Sequence, residues 1–476
     1  MKRGIQLVFQ KINLRKNGLK IIIVGCGKVG LTLVEQLSRE GHDITIIDNN
    51  PQKVSSVSSF NDVMGICGNG GSYTVQLEAG IKDADLLIAV TGSDELNLLC
   101  CTLAKQVGDC AAIARVRTPD YSHEVNYLRE KLGLAMIINP ELEAALDMAR
   151  ILYLPSALDV NTFAHGQADM VKFRIPEGSI LCDKTIAVSS ADLSSNVLIC
   201  GVERKGEVFI PSGDFELKAG DLISIVSSRK NVAPYLKEIG YKTNSVKDTM
   251  IIGGGKGAYY LASTLLSMGI DVKIIETDKK RCEELSILLP NAIIINGDGI
   301  DQELLKEEGV EYVESFVPLT GIDEVNILLT LHAKNVSRAN AKLITKINRI
   351  PFKDVVNELS LGSVVYPNKI TSEAILAYVR ARLNSKDSLS VETLTHLFDG
   401  RVEAIEFSVD ENSPIIGIPL KDLSIKNDVL VSFINHSGRI IIPTGSDLIQ
   451  AGDTVMVVTT HTGFTNISDI LEVSDE

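Results

Sequence analysis

The sequence lacks any apolar run near the ~20 residues that a membrane-spanning helix needs. Its apolar stretches, such as Leu19–Val24 and Ile293–Ile295, are strand-sized. It lacks a basic excess: 47 Lys and Arg against 61 Asp and Glu leave a formal net charge of −14, with a pI near 5.1. Binding to nucleic acid needs clustered Lys and Arg against phosphate, so no nucleic-acid partner is expected. Its eight Cys show no CxxC and no metal-type spacing, so reduced structural thiols and no metal are expected. An export signal is also missing. The first nineteen residues carry Lys2, Arg3, Lys11, Arg15 and Lys16, and their apolar part is too short and interrupted for a signal peptide. Residues 1–19 read as an N-terminal extension, with an amphipathic lipid anchor as the less favoured alternative. The expected compartment is the cytoplasm.

What is present is a chain of 476 residues, room for about three or four domains. With 45% hydrophobic and 23% charged residues, most of it is globular, not disordered. A mean hydropathy of +0.16 then points to buried parallel strands.

The chain repeats itself. A predicted strand, Leu19–Val24, runs into Gly25-Cys26-Gly27-Lys28-Val29-Gly30, a helix and a second strand ending in Asp48. Further on, Met250–Ile252 runs into Gly253-Gly254-Gly255-Lys256-Gly257-Ala258, a helix and a strand ending in Glu276. The offsets agree: 253 − 25 = 228 and 276 − 48 = 228. Thr91-Gly92-Ser93-Asp94-Glu95-Leu96-Asn97 recurs as Thr320-Gly321-Ile322-Asp323-Glu324-Val325-Asn326, with 320 − 91 = 229. Pro211-Ser212-Gly213 and Gly220-Asp221 recur as Pro443-Thr444-Gly445 and Gly452-Asp453, both at 232. A repeat this long is a duplicated domain pair, not a solenoid turn.

Each copy has two parts. The front part alternates apolar runs (Val63–Ile66, Leu86–Val90, Ala111–Val116, Met136–Ile138) with helical patterns, the signature of a doubly wound parallel sheet. The back part has short runs with turns between them: Thr162–Gln167, Val171–Ile175, Val197–Val202, Val208–Ile210 and Leu222–Val226, with a short helix near Ala187–Leu193. Its second-copy counterparts are Val402–Val409, Val429–Asn435, Arg439–Ile442 and Thr454–Val458. The fold class is therefore α/β: two Rossmann-like domains (20–150 and 248–381), each followed by a small α+β domain (159–228 and 390–473). Linkers are expected near 150–159, 227–247 and 382–389.

The glycine loops carry the chemistry. Each follows a predicted strand, opens a helix, and precedes an acid, the dinucleotide-binding context. Gly25 supplies the tight turn, Gly27 lets a diphosphate approach the backbone, and Gly30 lets helix and strand pack closely. The helix N-terminus then offers free N–H groups and a positive dipole end. Asp48 should accept bonds from the ribose hydroxyls and disfavour a 2′-phosphate. Gly253, Gly255, Ala258 and Glu276 keep this logic in the second copy. Lys28 and Lys256 either touch phosphate or are solvated. Gly68-Asn69-Gly70 and Gly297-Asp298-Gly299 end the third strands, where glycine lets a base lie close to the backbone. Thr91-Gly92 and Thr320-Gly321 end the fourth. Arg115, at the end of the fifth, meets phosphate or pairs with Asp94 or Glu95, and both readings stay open; Lys346 stands near the matching place.

A dehydrogenase needs a proton donor and a substrate clamp besides its cofactor. None of the seven His recurs at the repeat offset or sits in a catalytic motif. Catalysis is therefore not expected, and an NAD-dependent oxidoreductase is the runner-up reading.

The order nucleotide fold, β-domain, nucleotide fold, β-domain resembles the TrkA family of Trk-type potassium uptake regulatory subunits, with tandem regulator-of-potassium-conductance domains. The resemblance rests on the first glycine loop, Asp43–Asp48, Ala79–Asp85, Thr91–Asn97, Arg115-Val116-Arg117 and Pro119-Asp120-Tyr121, and covers roughly residues 20 to 473. It implies a cytoplasmic subunit, peripheral on the inner face of the membrane, forming a homo-oligomeric ring beneath an integral membrane potassium transporter. It implies NAD(H) as ligand, with ATP or ADP as the alternative. By resemblance the first site is Gly25, Cys26, Gly27, Lys28, Val29, Gly30, Asp48, Asn69, Gly70, Thr91, Gly92 and Arg115. The second is Gly253, Gly254, Gly255, Lys256, Gly257, Glu276, Asp298 and Thr320. Asn69 stands where Asp is common in related domains, and Ala258 with Tyr259-Tyr260 alters the second helix start.

Overall fold

The structure is a computed structural model describing residues 18–60, 62–122, 124–193, 195–241, 245–337, 341–348, 356, 359, 361–384 and 390–472. The basic extension lies outside them, apart from Gly18 and Leu19. The chain forms two compact units, one made of residues up to Glu143 with Pro367–Ser372, the other of the remainder.

In the first unit, β1 (Lys20–Val24), β2 (Asp43–Asp48), β3 (Met64–Cys67), β4 (Leu86–Ala89), β5 (Ala111–Arg115) and β6 (Met136–Ile138) form a parallel sheet in the order β3-β2-β1-β4-β5-β6. Strands β1 and β4 are buried along almost their whole length, because helices cover both faces of such a sheet. The order reverses beside β1, so the loops after β1 and β4 part there and leave a crevice at the strands' C-terminal ends.

The second unit begins with an antiparallel sheet. Its strands β7 (Asp159–Phe163), β8 (Ala168–Arg174), β10 (Leu198–Arg204), β11 (Glu207–Phe209) and β13 (Leu222–Ser228) run in the order β11-β10-β13-β8-β7. The short strands β9 (Lys184–Thr185) and β12 (Glu216–Leu217) form a separate antiparallel pair. A second parallel sheet follows: β14 (Asp248–Ile252), β15 (Asp271–Glu276), β16 (Ile293–Asn296), β17 (Ser315–Pro318), β18 (Lys342–Lys346) and β19 (Ser363–Val365), ordered β16-β15-β14-β17-β18-β19. It repeats the first sheet strand for strand. The last sheet, β20 (Val391–Leu397), β21 (Val402–Ser408), β22 (Val429–His436), β23 (Arg439–Ile441) and β24 (Thr454–Thr459), is antiparallel in the order β20-β21-β24-β22-β23.

Three expectations need correction. The stretch 227–247 is not a plain linker: it holds the helix Arg229–Glu238, whose Val232, Tyr235 and Leu236 are buried. Its apolar stripe is narrow and Pro234 interrupts it, which masks the helical period. The run Thr162–Gln167 is not one strand, since β7 ends at Phe163 and the chain reverses through Ala164 and His165, both with left-handed backbone (φ 50° and 52°). Strand β20 has no counterpart in the sequence reading. A register shift between Val391 and Thr393 breaks the two-residue alternation that marks a strand.

The two antiparallel sheets share one core. Phe163, Met170 and Val226 of the earlier domain pack with Phe398, Phe433 and Met456 of the later one. Phe398 is only 2% exposed, a burial that contributes roughly 1.5–3 kcal/mol. It presses on the backbone of β10 where Gly201 leaves room: a Cβ at Gly201 would sit 2.6 Å from the Phe398 ring.

Candidate nucleotide-binding site

The first site grows from the end of β1. Gly25 has φ 107°, and a Cβ there would lie 3.0 Å from the Thr91 backbone nitrogen, so the turn requires glycine. Gly27 is the N-cap of the helix Lys28–Arg39 and no side chain caps that helix. The first-turn N–H groups therefore face outward without an intrahelical partner. A Cβ at Gly27 would meet nothing within 4 Å, so the space above these donors is open. At Gly30 a Cβ would lie 2.0 Å from the Gly25 carbonyl oxygen, which is how closely helix and loop pack.

The second site repeats this. Gly253 has φ 98°, Gly255 caps the helix Lys256–Ser267 without a side-chain bond, and a Cβ at Gly255 also meets nothing within 4 Å. A cleft of about 410 Å³ opens here, lined by Gly253, Gly254, Gly255, Glu276, Asp298 and Thr320 among others. Both sites thus have the form of a diphosphate cradle: open space, bare amides and a helix dipole.

The acids hold the loops as well as facing the crevice. Asp48 accepts the Cys26 N–H at 2.7 Å and the Asn50 N–H at 2.9 Å. Glu276 accepts the Gly254 N–H at 2.5 Å and the Asp278 N–H at 2.8 Å. Burial pulls the Glu276 pKa up, but the N–H bonds from Asp278 and Gly254 and the Thr277 hydroxyl outweigh it, so the carboxylate sits below its ordinary value. The residue pairs are matched in size. A Cβ at Gly254 would lie 3.1 Å from Glu276 and 2.7 Å from Leu285, whereas the shorter Asp48 is paired with Cys26. That thiol is pushed up to about 12 by burial and by the Asp48 charge, against Lys53, and is no nucleophile at neutral pH.

Asn69 and Asp298 lie two residues past the third strands, exposed at the surface. Behind them Gly70 and Gly299 close the floor, where a Cβ would strike Val24 at 2.3 Å or Ile252 at 2.2 Å. Val29 is buried at 3% exposure, so only its backbone faces the crevice. Lys28 is exposed and Lys256 half-buried.

On the other flank, Arg115 donates to the Thr91 carbonyl, and its Nε is buried without a hydrogen-bond partner among the described residues. Burial, then the neighbouring Arg117, pull its pKa below the usual arginine value, against Glu141 and Asp94. Asp94 instead accepts from the Thr118 hydroxyl at 2.6 Å and the Thr118 and Arg117 N–H groups. Lys346 takes the Arg115 place in the second copy, donating to the Thr320 carbonyl at 2.7 Å.

Sequence reasoning missed two contributors. Asn97, fully buried, accepts the Thr91 N–H at 2.8 Å and the Thr91 hydroxyl at 2.7 Å, and donates to the Arg115 carbonyl at 2.8 Å. It ties the ends of β4 and β5 together, and Asn326 does the same with Thr320 and Lys346. The signal was the Asn kept six residues after Thr in both copies. The other is Arg281, whose Nε donates to the Gly254 carbonyl at 2.7 Å and steadies the second loop.

Comparison with known proteins agrees with this architecture. The TrkA-N domain matches residues 21–140 and 249–367, and the TrkA-C domain matches 170–240 and 404–471. The chain is 32% identical over 447 residues to the Trk system potassium uptake protein TrkA homolog 1 of Methanosarcina mazei, spanning 92% of this chain and 97% of that protein. It is 30% identical over 446 residues to the Trk system potassium uptake protein TrkA of Haemophilus influenzae, spanning 92% and 95%. The crystal structure of the GsuK RCK domain is similar with a TM-score of 0.63 at 17% identity, covering 93% of this chain and 92% of that one. The GsuK channel bound to NAD gives 0.62 at 16% identity, covering 93% and 77%. At such identity the structural likeness speaks to the fold.

Proposed function

Because the chain belongs to the TrkA family of Trk system potassium uptake proteins, we propose that it is a nucleotide-responsive regulatory subunit of a membrane potassium transporter. The observation that carries this reading is the duplicated cradle: two uncapped helix N-termini under open space at Gly27 and Gly255, each beside a backbone-anchored acid. NAD(H) is the ligand class, with ATP or ADP as the alternative; a related fold, the GsuK channel, has been solved bound to NAD and to ADP.

In each site the loop amides and the helix dipole take the diphosphate. Asp48 or Glu276 takes the ribose hydroxyls with the lone pairs its backbone bonds leave. Asn69 or Asp298 lies beyond, toward the base. Thr91 and Gly92, with Arg115 and the Asn97 tie, form the opposite wall; Thr320 forms it in the second site. The subunit performs no chemistry. Its output is a change in shape, and a nucleotide shifts that shape only by as much as it binds one shape more tightly.

None of the described helices is long and apolar enough to cross a membrane, which suits a subunit held at the inner membrane face by its partner. Leu99 and Leu328 occupy matching helix positions and are 54% and 66% exposed, an apolar pair suited to contacts between copies in a ring.

Calorimetry of the full chain with NADH, NAD, ATP and ADP tests the reading, alongside potassium flux through the reconstituted transporter. Binding at two sites without turnover of NADH is expected. No binding at millimolar nucleotide, or oxidation of NADH coupled to a substrate, sinks it.

A further inference from the structure

The second cleft is lined by two isoleucines that the fold leaves uncovered. Ile300 and Ile322 share it with Glu276 and the second glycine loop, yet they are 60% and 57% exposed. Ile322 is also the N-cap of the helix Asp323–Val336 and gives it no side-chain bond, although Ser, Thr, Asn and Asp are the residues that stabilise this position. In the first copy Ser93 holds the matching place and caps its helix, accepting the Leu96 N–H at 3.1 Å. The second copy thus forgoes a cap and presents an apolar side chain to the cleft.

Both isoleucines stand on pinned backbone. Asp298 Oδ1 accepts the Ile300 N–H at 3.0 Å, and the Thr320 hydroxyl accepts the Ile322 N–H at 3.3 Å. The same bonds recur in the first copy, where Asn69 Oδ1 accepts the Gly71 N–H at 2.9 Å and the Thr91 hydroxyl accepts the Ser93 N–H at 3.4 Å. The backbone frame is shared and the side chains differ: Gly71 stands for Ile300, and Ser93 for Ile322. At Gly71 the fold leaves a side chain little room, since a Cβ would lie 3.0 Å from Leu96 and 3.2 Å from Leu99.

The cleft itself says what covers the isoleucines. The loop after β14 takes the diphosphate and Glu276, ending β15, takes the ribose. The base then falls in the rest of the cleft, whose apolar lining is Ile300, Ile322, Val325 and Leu329. A purine carries its polar atoms on its edge and offers flat faces that pack on aliphatic groups. On the nucleotide reading above, we infer that Ile300 and Ile322 clamp the base in the second site, and that the first site, with Gly71 and Ser93, binds its nucleotide with less help from the base. Covering the exposed half of one isoleucine changes affinity about fivefold.

The test uses full-length chain with one site silenced. Gly27→Glu or Gly255→Glu places a carboxylate in open space over the helix start, where it repels phosphate without a clash in the fold. In the Gly27→Glu chain, Ile300→Ser and Ile322→Ser should each weaken ADP binding about fivefold in calorimetry, and together about tenfold or more. Mass in solution should stay the same. Without ligand, Ile322→Ser should unfold no earlier than its parent, because serine caps the helix. Ribose 5-diphosphate, which is ADP without its base, measures the difference between sites. Removing the base should weaken binding about tenfold more in the Gly27→Glu chain than in the Gly255→Glu chain. Serine variants within about twofold of their parent overturn the inference while the nucleotide reading stands. An affinity loss that comes only with a change in mass also overturns it, and makes the pair an interface between copies. Equal losses at the two sites on removing the base overturn it too. If the Gly255→Glu chain binds no ADP, the serine variants alone decide. If the Gly27→Glu chain binds neither ADP nor NADH, the nucleotide reading of the second site falls and this inference with it.

Discussion

Glu406 Oε1 accepts the backbone N–H of Ala164 at 2.9 Å across 242 residues of sequence. The bond runs from β21 of the later β-domain to the reversal after β7 of the earlier one, beside their common core. Glu406 is 1% exposed. Its pKa is pushed up to about 7, first by burial and then by the Glu392 charge, against Thr393, the Ala164 N–H and His165. The unfolded chain releases this proton near 4.5, so between about 4.5 and 7 it binds fewer protons than the folded chain. Stability therefore falls as pH rises through that window, by about 3 kcal/mol. Glu406→Gln keeps the acceptor for Ala164 and should flatten this fall, unfolding at higher temperature than wild type at pH 8. Identical pH profiles from thermal unfolding of the two proteins would contradict the assignment.

Arg380, 2% exposed, makes a two-pronged pair with Glu403 at 2.7 and 2.8 Å, and fastens the helix Pro367–Asn384 to β21. His396 bridges Glu373 at 3.0 Å and Glu403 at 3.6 Å. Arg380→Ala should cost about 3–5 kcal/mol, because Glu403 stays buried without its main partner. Replacing both Arg380 and Glu403 by Met should recover most of that loss in chemical denaturation. A single variant within 1 kcal/mol of wild type argues against the clamp.

The same cluster sets an alkaline limit. Burial lowers the His396 pKa, but Glu373 and Glu403 outweigh it and push it up to about 9 from 6.5. Its contribution is complete below about pH 6.5 and is lost as pH rises through 9. Glu403, held down at about 2 by Arg380 and His396 against burial, contributes above 4.5 and loses that only toward pH 2. His396→Gln should remove the decline between pH 7 and 9 in a thermal-unfolding series, leaving the Glu406 slope at lower pH intact.

The third glycine of the first loop has no slack. A Cβ at Gly30 would sit 2.0 Å from the Gly25 carbonyl oxygen, yet Ala258 occupies the matching place in the second copy, 1% exposed. Gly30→Ala should displace the first loop and weaken nucleotide binding there by about tenfold or more. Ala258→Gly should cost only helix propensity, about 1 kcal/mol, with second-site affinity nearly unchanged. Calorimetry on both variants checks the contrast.

Removing the Asn97 tie should cost more than its size suggests. Asn97→Ala strands the Thr91 N–H and the Arg115 carbonyl near the sheet edge and leaves the Thr91 hydroxyl only the Ser93 carbonyl at 3.2 Å, about 2–3 kcal/mol if these groups are only partly rehydrated. First-site nucleotide affinity should fall as well, since Thr91 and Arg115 form one wall. Unchanged stability and binding would remove Asn97 from the site's framework.

The glycine loops, the acids Asp48 and Glu276, the buried parallel strands and the duplication were legible in the sequence, because each is written by neighbouring residues: a backbone angle only glycine adopts easily, a period of burial, a fixed offset. Asn97 and Asn326 stood in the repeat, but their work across two strand ends showed only in the fold. Strand β20 and the helix Arg229–Glu238 were lost where a register shift and Pro234 disturbed the local period. The shared core around Phe163 and Phe398, the Arg380–Glu403 clamp and the Glu406–Ala164 bond, the last across 242 residues, join residues far apart in sequence, and no local pattern encodes such meetings. Sequence by itself determined the duplicated strand, glycine loop and acid, because each is a local pattern. Tertiary structure alone decided that Asn97 ties two strand ends and that Glu406 reaches Ala164, because such bonds depend on which distant elements the fold brings together.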